Sequence, residues 1–80
     1  MDHDSGRVTL FTIPDHCPLC DDARAVLARI WPDFTEVDIR SDRELLRAYR
    51  NEIPVVTVDG VKRFIGRVDG EELTRLLEKK

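Results

Sequence analysis

Apolar and polar residues recur along the chain with two different periods, which separate strand-like from helix-like segments. Residues 7–13 are rich in β-branched and aromatic side chains and predict a first strand. Apolar residues then recur at helical spacing over residues 19–30 and predict a helix that faces a sheet. Trp31-Pro32 ends this helix, because the residue before a proline avoids the helical region. Residues 34–39 alternate Thr, Val and Ile with acidic residues, which is typical of an edge strand with one solvated face.

The second half of the chain predicts a short helix, a β-hairpin and a final helix. Residues 41–44 (S-D-R-E) match a capping box that opens the short helix. The buried stripe of this helix is predicted to be Leu45, Leu46 and Tyr49. Residues 55–58 form an almost wholly apolar strand, and Asp59-Gly60 joins it to a return strand over residues 61–65. Asp69 caps the final helix.

This order of elements, βαβ-α-ββ-α, predicts an α/β fold. A βαβ unit pairs its strands in parallel and a hairpin pairs them antiparallel, so the sheet should be mixed. Four strands with helices on both faces satisfy these connections. Eighty residues suffice for one small domain. We therefore expect a flexible lead-in over residues 1–6 and a single domain over residues 7–80.

Composition and charge narrow the classes of partner. The chain is 41% hydrophobic and 36% charged, as in a globular domain, and its formal net charge is −3. It has no block of Lys and Arg, so we expect it to bind neither nucleic acid nor an anionic membrane. The acidic, polar first residues do not match a signal peptide, and no apolar run is long enough to span a membrane. We therefore expect a cytoplasmic protein, and we expect it to be a monomer.

Both cysteines of the chain lie in one motif, Cys17-Pro18-Leu19-Cys20, at the start of the first predicted helix. Cys17 fits the N-cap position, and Pro18 fits the first helical position, where a missing N–H costs nothing. A thiolate at a helix N-terminus is favoured by the helix dipole and by free backbone N–H groups. In a reducing compartment such a pair is more often catalytic or metal-binding than structural. The motif thus indicates a reversible dithiol/disulfide site, although two inert core thiols remain an alternative.

Three segments of the chain resemble the glutaredoxins, which have the thioredoxin fold, and especially their short bacterial relatives. Residues 17–23 (C-P-L-C-D-D-A) resemble the active-site segment of that family. Residues 53–56 (I-P-V-V) resemble the segment whose proline is cis in the family. Residues 64–69 (F-I-G-R-V-D) resemble the F-I-G-G-x-D segment that opens the last helix. The resemblance extends from about residue 8 to residue 77.

The resemblance implies a thiol–disulfide oxidoreductase in which Cys17 is the nucleophile and Cys20 the resolving thiol. It assigns substrate contacts to Pro18 and Leu19 between the cysteines and to the backbone around the proline. That backbone comprises Ile53, Pro54 and Val55, of which the Val55 N–H would be free to pair with an extended substrate. Gly66, Arg67 and Asp69 would hold a carboxylate of glutathione or of a peptide. His16, if protonated, would add positive charge and lower the pKa of the Cys17 thiol.

The expected partners follow from this chemistry. The substrate would be a disulfide-containing protein or a low-molecular-weight thiol compound. Glutathione or a flavoprotein reductase would restore the dithiol, and the sequence does not decide between them. No cofactor is expected to be tightly bound, with glutathione possible as a co-substrate.

Two other classes of function remain open. The motif could bind a metal or, in a dimer with glutathione, an iron–sulfur cluster. A closed zinc site needs four ligands, and a single C-x-x-C supplies two. Alternatively, the chain could be a binding module that keeps the fold without catalysing a reaction. Loss of function on replacing Cys17 by Ser would separate a catalyst from such a module.

Overall fold

A computed structural model describes residues 7–13 and 17–78 of the chain. Over these residues the chain forms four strands, three α-helices and one 3₁₀ turn. In chain order they are β1 (Val8–Thr12), α1 (Pro18–Ile30), β2 (Thr35–Asp38), the 3₁₀ turn (Ile39–Ser41), α2 (Arg43–Tyr49), β3 (Val55–Val58), β4 (Val61–Ile65) and α3 (Gly70–Glu78). The predicted order of elements is confirmed. The expected lead-in over residues 1–6 lies outside the described residues.

The strands form one mixed sheet in the order β2-β1-β3-β4. β1 pairs with β2 in parallel, whereas β3 pairs antiparallel with both β1 and β4. β1 and β3 are therefore central, and β2 and β4 are the edges. This arrangement confirms the four-stranded mixed sheet with helices on both faces.

The main core lies between one face of the sheet and helices α1 and α3. Its buried members come from all these elements: Val8, Leu10, Ala23, Leu27, Val56, Val58, Phe64 and Leu73. The two helices approach closely where α3 begins. A Cβ atom on Gly70 would lie 3.2 Å from Cδ1 of Ile30, which is tighter than ordinary van der Waals contact. Glycine at this position therefore lets α3 pack against α1 and cover the sheet.

The opposite face of the sheet is covered less completely, by α2. The ring of Phe11 on β1 lies 5.1 Å from the ring of Tyr49 on α2. The predicted buried stripe of α2 is only half-buried, however, because none of Leu45, Leu46 and Tyr49 loses all contact with solvent. A helix of seven residues makes two turns, which is too little to cover a four-stranded sheet.

Helix starts follow the predicted capping residues with one correction. Cys17 is the N-cap of α1, and Pro18 is the first residue of the helix, as predicted. The N-cap of α2 is Asp42 rather than Ser41, since the Asp42 carboxylate accepts hydrogen bonds from the N–H groups of Glu44 and Leu45. The Ser41 hydroxyl instead donates to the Asp38 carbonyl, because residues 39–41 form the 3₁₀ turn that separates β2 from α2.

The β3–β4 hairpin turns at Asp59-Gly60, as predicted. Both residues have positive φ, +54° and +83°. A two-residue hairpin of this kind requires positive φ at both positions, which Gly and Asp tolerate better than branched residues. The turn places Val58 opposite Val61, and a register shift between Val56 and Thr57 then brings Val55 opposite Ile65, the last residue of β4.

Candidate active site

The sulfur atoms of Cys17 and Cys20 are bonded to each other, and their Cα atoms are 5.1 Å apart. Sγ of Cys17 accepts a hydrogen bond from the backbone N–H of Cys20 at 3.1 Å. The carbonyl of Cys17 accepts from the N–H groups of Cys20 and Asp21. Cys17 is therefore an N-cap whose sulfur meets one of the unpaired N–H groups of the helix. The same geometry would favour a thiolate on Cys17 after reduction.

The two cysteines differ in exposure. Cys17 is half-buried, whereas Cys20 is 0% exposed. A substrate can therefore reach Cys17 from solvent while Cys20 stays behind it, one helical turn into α1. This asymmetry is what a nucleophilic and a resolving thiol require.

The sheet brings the other predicted site residues to the same end of the molecule as the cysteines. β1 runs toward this end and reaches Thr12, opposite Asp38 of β2. On its other side β1 pairs with β3, with Phe11 opposite Val55, so the next residue in register is Pro54. The Pro54 carbonyl accepts a hydrogen bond of 2.8 Å from the N–H of Gly66 just after β4. This bond continues the β3–β4 ladder and places Pro54 and Gly66 side by side at the sheet end.

The segment around Pro54 agrees with the expected peptide geometry and corrects one expected contact. The Ile53–Pro54 bond is cis. Val55 is 0% exposed and pairs with Phe11 on one side and Ile65 on the other. Because the N–H of Asp59 donates to the carbonyl of Arg7, alternation along this antiparallel pair makes Val55 and Phe11 a hydrogen-bonded pair. The Val55 N–H is thus used within the sheet, contrary to the expectation that it would be free. Ile53, half-buried, precedes β3 and lies outside the ladder.

In the third predicted segment, Gly66 and Asp69 form hydrogen bonds that stabilise the fold, whereas Arg67 is accessible to a ligand. Asp69 caps α3, and its carboxylate accepts from the N–H groups of Glu71 at 3.0 Å and Glu72 at 3.2 Å. Gly66 bonds to Pro54 as described. Arg67 is exposed and, among the described residues, forms no ion pair. Its guanidinium is therefore the member of this segment best placed to meet a ligand.

A cavity of about 230 Å³ connects the third segment to the active-site helix. It lies between α1 and residues 66–68 and is lined mostly by apolar side chains. These are Leu19, Ala23, Val26 and Val68, with Asp22 and Arg67 as the charged members. Leu19, between the two cysteines, is 42% exposed. The structure thus brings Leu19 and Arg67, which are predicted from separate motifs, into one cavity.

A hydrogen-bonded charge cluster beside the first turns of α1 was not predicted. Thr12, the last residue of β1, is 0% exposed, and its hydroxyl donates to the Glu36 carboxylate at 2.9 Å. Arg24 on α1 binds both oxygens of Glu36, at 2.8 and 2.6 Å, and also Asp21 at 2.7 Å. The Arg24 guanidinium lowers the pKa of Glu36, and Glu36 together with Asp21 raises the pKa of Arg24. Thr12 continues the inward-facing alternation of Val8 and Leu10, and a polar residue at such a position is the signal that could have revealed the cluster.

The remaining predicted residues are placed as follows. Pro18 is exposed at the first position of α1, and His16 lies outside the described residues. Within residues 7–13 and 17–78, no group of three or more His, Cys, Asp or Glu side chains is arranged to hold a metal ion. Over the same ranges, no helix is both long enough and apolar enough to cross a membrane.

Comparison with known proteins gives the family. The family model of the glutaredoxin-like domain (DUF836) matches residues 7–78, which is nearly the whole chain. The chain belongs to the glutaredoxin-like domain family. The match includes all three of the segments that carried the resemblance in the sequence, and it confirms a glutaredoxin-like protein of the thioredoxin fold.

Two solved structures are similar to this glutaredoxin-like chain. One is the X-ray structure of the structural genomics target protein XcR50 from X. campestris, with a TM-score of 0.74 and 30% sequence identity. That match covers 89% of this chain and 95% of the other. The second is a single-site mutant of thioredoxin from Halobacterium salinarum NRC-1, with a TM-score of 0.58 and 25% identity, covering 91% of this chain and 74% of the other. A search of curated proteins finds no match.

Proposed function

We propose that the protein is a thiol–disulfide oxidoreductase that works through the Cys17/Cys20 couple. The observation that carries this proposal is the asymmetric pair at the start of α1. Cys17 is accessible and accepts an N–H from the helix start, and Cys20 is fully buried one turn further on. Membership of the glutaredoxin-like family and similarity to a thioredoxin support this kind of redox chemistry.

The reaction uses the two thiols in sequence. The Cys17 thiolate attacks one sulfur of a substrate disulfide, and the other substrate sulfur leaves as a thiolate that takes up a proton. Cys20 then loses its proton and attacks Sγ of Cys17, which forms the Cys17–Cys20 disulfide and releases the second substrate thiol. Two electrons pass from the pair to the substrate, so the substrate disulfide is reduced to two thiols.

Return of the oxidised pair to the dithiol needs an external reductant of the thiol class. Glutathione or a flavoprotein reductase would supply the two electrons, and the substrate would be a protein disulfide or a low-molecular-weight disulfide. Neither a tightly bound cofactor nor association with other copies is needed for this cycle. These partners, the monomeric state and the cytoplasmic location stay predictions, as do roles for His16 and for the Ile53 backbone.

The proposal is tested by equilibrating the protein in graded mixtures of glutathione and its disulfide. Samples are quenched with an alkylating agent and weighed by mass spectrometry. We expect the pair to change cooperatively between the dithiol and the internal disulfide, because its Cα separation suits a disulfide. A glutathione adduct on Cys17 would indicate the glutathione route, and its absence a protein reductant.

Two matched variants assign the roles of the thiols. Cys20→Ser removes the resolving thiol, so a mixed disulfide on Cys17 should accumulate with a disulfide substrate. Cys17→Ser leaves only the buried thiol and should form almost none. A pair that stays reduced throughout the series would refute the proposal. In that event, brown colour and visible absorption in protein purified without oxygen would indicate the iron–sulfur alternative.

A further inference from the structure

The cavity between α1 and residues 66–68 has a size that suits one side chain. Its volume is about 230 Å³. Pockets that enclose a whole drug-sized molecule usually measure roughly 300–1,000 Å³. Neither cysteine lines the cavity, but Leu19 does, and it lies two residues after Cys17, a rise of about 3 Å along the axis of α1. A residue next to a substrate cysteine bonded to Cys17 would therefore be in reach of it, since an extended chain advances about 3.3 Å per residue.

The lining of the cavity selects the chemistry of that side chain. Leu19, Ala23, Val26 and Val68 present hydrocarbon. Leu19 is 42% exposed, while Val26 and Val68 are half-buried. Filling the cavity with an aliphatic group would remove apolar surface from water on both partners, which stabilises a complex.

The hydrocarbon lining, more than the two charges beside it, favours a peptide over glutathione. Asp22 lines the cavity from α1, and Arg67 lines it from the segment after β4. Within the described part of the chain, neither forms an ion pair. This balanced pair can meet the polar backbone of a peptide. Glutathione has no branched aliphatic side chain beside its cysteine, and its γ-glutamyl end is zwitterionic at neutral pH, so it would leave the hydrocarbon lining exposed to water.

We propose that this cavity is a specificity pocket for an aliphatic side chain of a polypeptide disulfide substrate, adjacent to the cysteine that Cys17 attacks. This inference rests on the proposed oxidoreductase function and adds the class of substrate. Leu19 and Val68 are its principal contacts, one on α1 and one on the segment that follows β4. The pocket makes proteins and peptides with Leu, Ile or Val beside the cysteine better substrates than glutathione disulfide.

A set of symmetrical peptide disulfides tests the proposal. Each half is a capped peptide Gly-X-Cys-X-Gly, with X as Leu, Ala or Asp, so that both sulfurs and both flanks are equivalent. The reduced protein is mixed with each disulfide, quenched by alkylation at intervals and weighed. Rates are divided by those of dithiothreitol with the same peptides, which removes differences in intrinsic reactivity. We expect the Leu peptide to react about tenfold faster than the Ala peptide, comparable to the discrimination of apolar pockets for small changes in size. The Asp peptide and glutathione disulfide should be slower still.

A matched pair of variants locates the preference. Val68→Ser should reduce the ratio of the Leu to the Ala rate to about threefold or less. Val61→Ser makes the same chemical change on β4, outside the cavity, and should leave the ratio unaltered. A ratio within twofold for the unmodified protein overturns the proposal without needing any variant. A tenfold ratio that Val68→Ser does not lower also overturns it, because the preference would then arise elsewhere. If no disulfide, glutathione disulfide included, oxidises the pair, the oxidoreductase function itself fails.

Discussion

The carboxylate of Glu36 joins three elements near the disulfide. It accepts from the buried Thr12 hydroxyl of β1 and from two guanidinium nitrogens of Arg24 on α1, while Glu36 itself belongs to β2. A carboxylate held in this way is favoured in its charged form, so Arg24 lowers the pKa of Glu36 below its ordinary value of 4.5. The cluster thus ties the beginning of the active-site helix to the edge of the sheet.

Replacing Glu36 by Gln should lower the free energy of unfolding at pH 7 by about 1 kcal/mol, the upper end for a partly exposed ion pair. Because the pKa of Glu36 is lowered by folding, the unfolded chain binds more protons than the folded one as the pH falls past 4.5. The stabilisation is therefore complete above that pH and is lost as the pH falls through the lowered pKa of the folded state. Urea unfolding of both proteins across this range measures the difference.

A matched control for this prediction is Glu72→Gln. Glu72 pairs with Arg75 at 3.0 Å, but both side chains are largely exposed on α3. This exposed pair should be worth no more than about 0.5 kcal/mol. An effect of Glu36→Gln that persists undiminished in strong acid, or that is no larger than the control, would contradict a stabilising role for the Glu36 carboxylate.

At the scale of elements, variants of Asp69 at the start of α3 distinguish two roles of this residue. One is to cap the helix, and the other is to bind a ligand. The Asp69 carboxylate accepts two backbone N–H groups of α3. Replacing Asp69 by Ala should reduce the free energy of unfolding by about 1 kcal/mol, the usual cost of losing an N-cap. Asp69→Asn keeps an acceptor and should restore most of this loss. Thermal or urea unfolding measures both variants.

The same two variants report on the site. If Asp69 acts mainly as a cap, the rates of peptide disulfide exchange in folded Asp69→Asn protein should equal those of the original. A large drop in rate for Asp69→Asn with unchanged stability would show instead that the negative charge meets the substrate.

Some elements could be predicted from the sequence more fully than others, depending on whether local residues alone determine their structure. α1 was predictable in its start and end, because the N-cap, Pro18 and the proline after the helix all agree. Its apolar face was predicted except at Leu19, which has the helical spacing expected to face the sheet but is 42% exposed. The start of α2 was harder to predict, because Ser41 and Asp42 are both good N-cap residues. Asp42 is the cap because Ser41 belongs to the 3₁₀ turn that ends just before it. The Val55 N–H could not be assigned from sequence, because its partner is fixed by the register of β3 against β1 across more than forty residues of chain.

At the scale of the whole molecule, the site is assembled from segments that are far apart in sequence. The three motifs were recognisable because each needs special residues locally: a C-x-x-C, an X-Pro and a glycine before a cap. Their meeting at one end of the sheet follows from strand order and was implied by the fold. The cavity and the Thr12–Glu36–Arg24 cluster depend on how side chains from different elements pack, which neither period nor motif specifies.

The positions of all these segments depend on one thin hydrophobic core. Replacing Leu27 measures how much a single core side chain contributes to the stability of the protein. Leu27 is 0% exposed on α1 and packs in the core cluster between the sheet and α3. Leu27→Ala removes buried methyl groups and leaves a cavity, which should cost about 3 kcal/mol. For a domain of this size that corresponds to a fall in Tm of about 15 °C, measurable by circular dichroism. Leu19→Ala makes the identical change at a 42% exposed position on the same helix and should alter stability by no more than about 0.5 kcal/mol. Equal losses for the two variants would mean that α1 is not anchored through its buried face, and the positioning of Cys17 and Cys20 would then need another explanation.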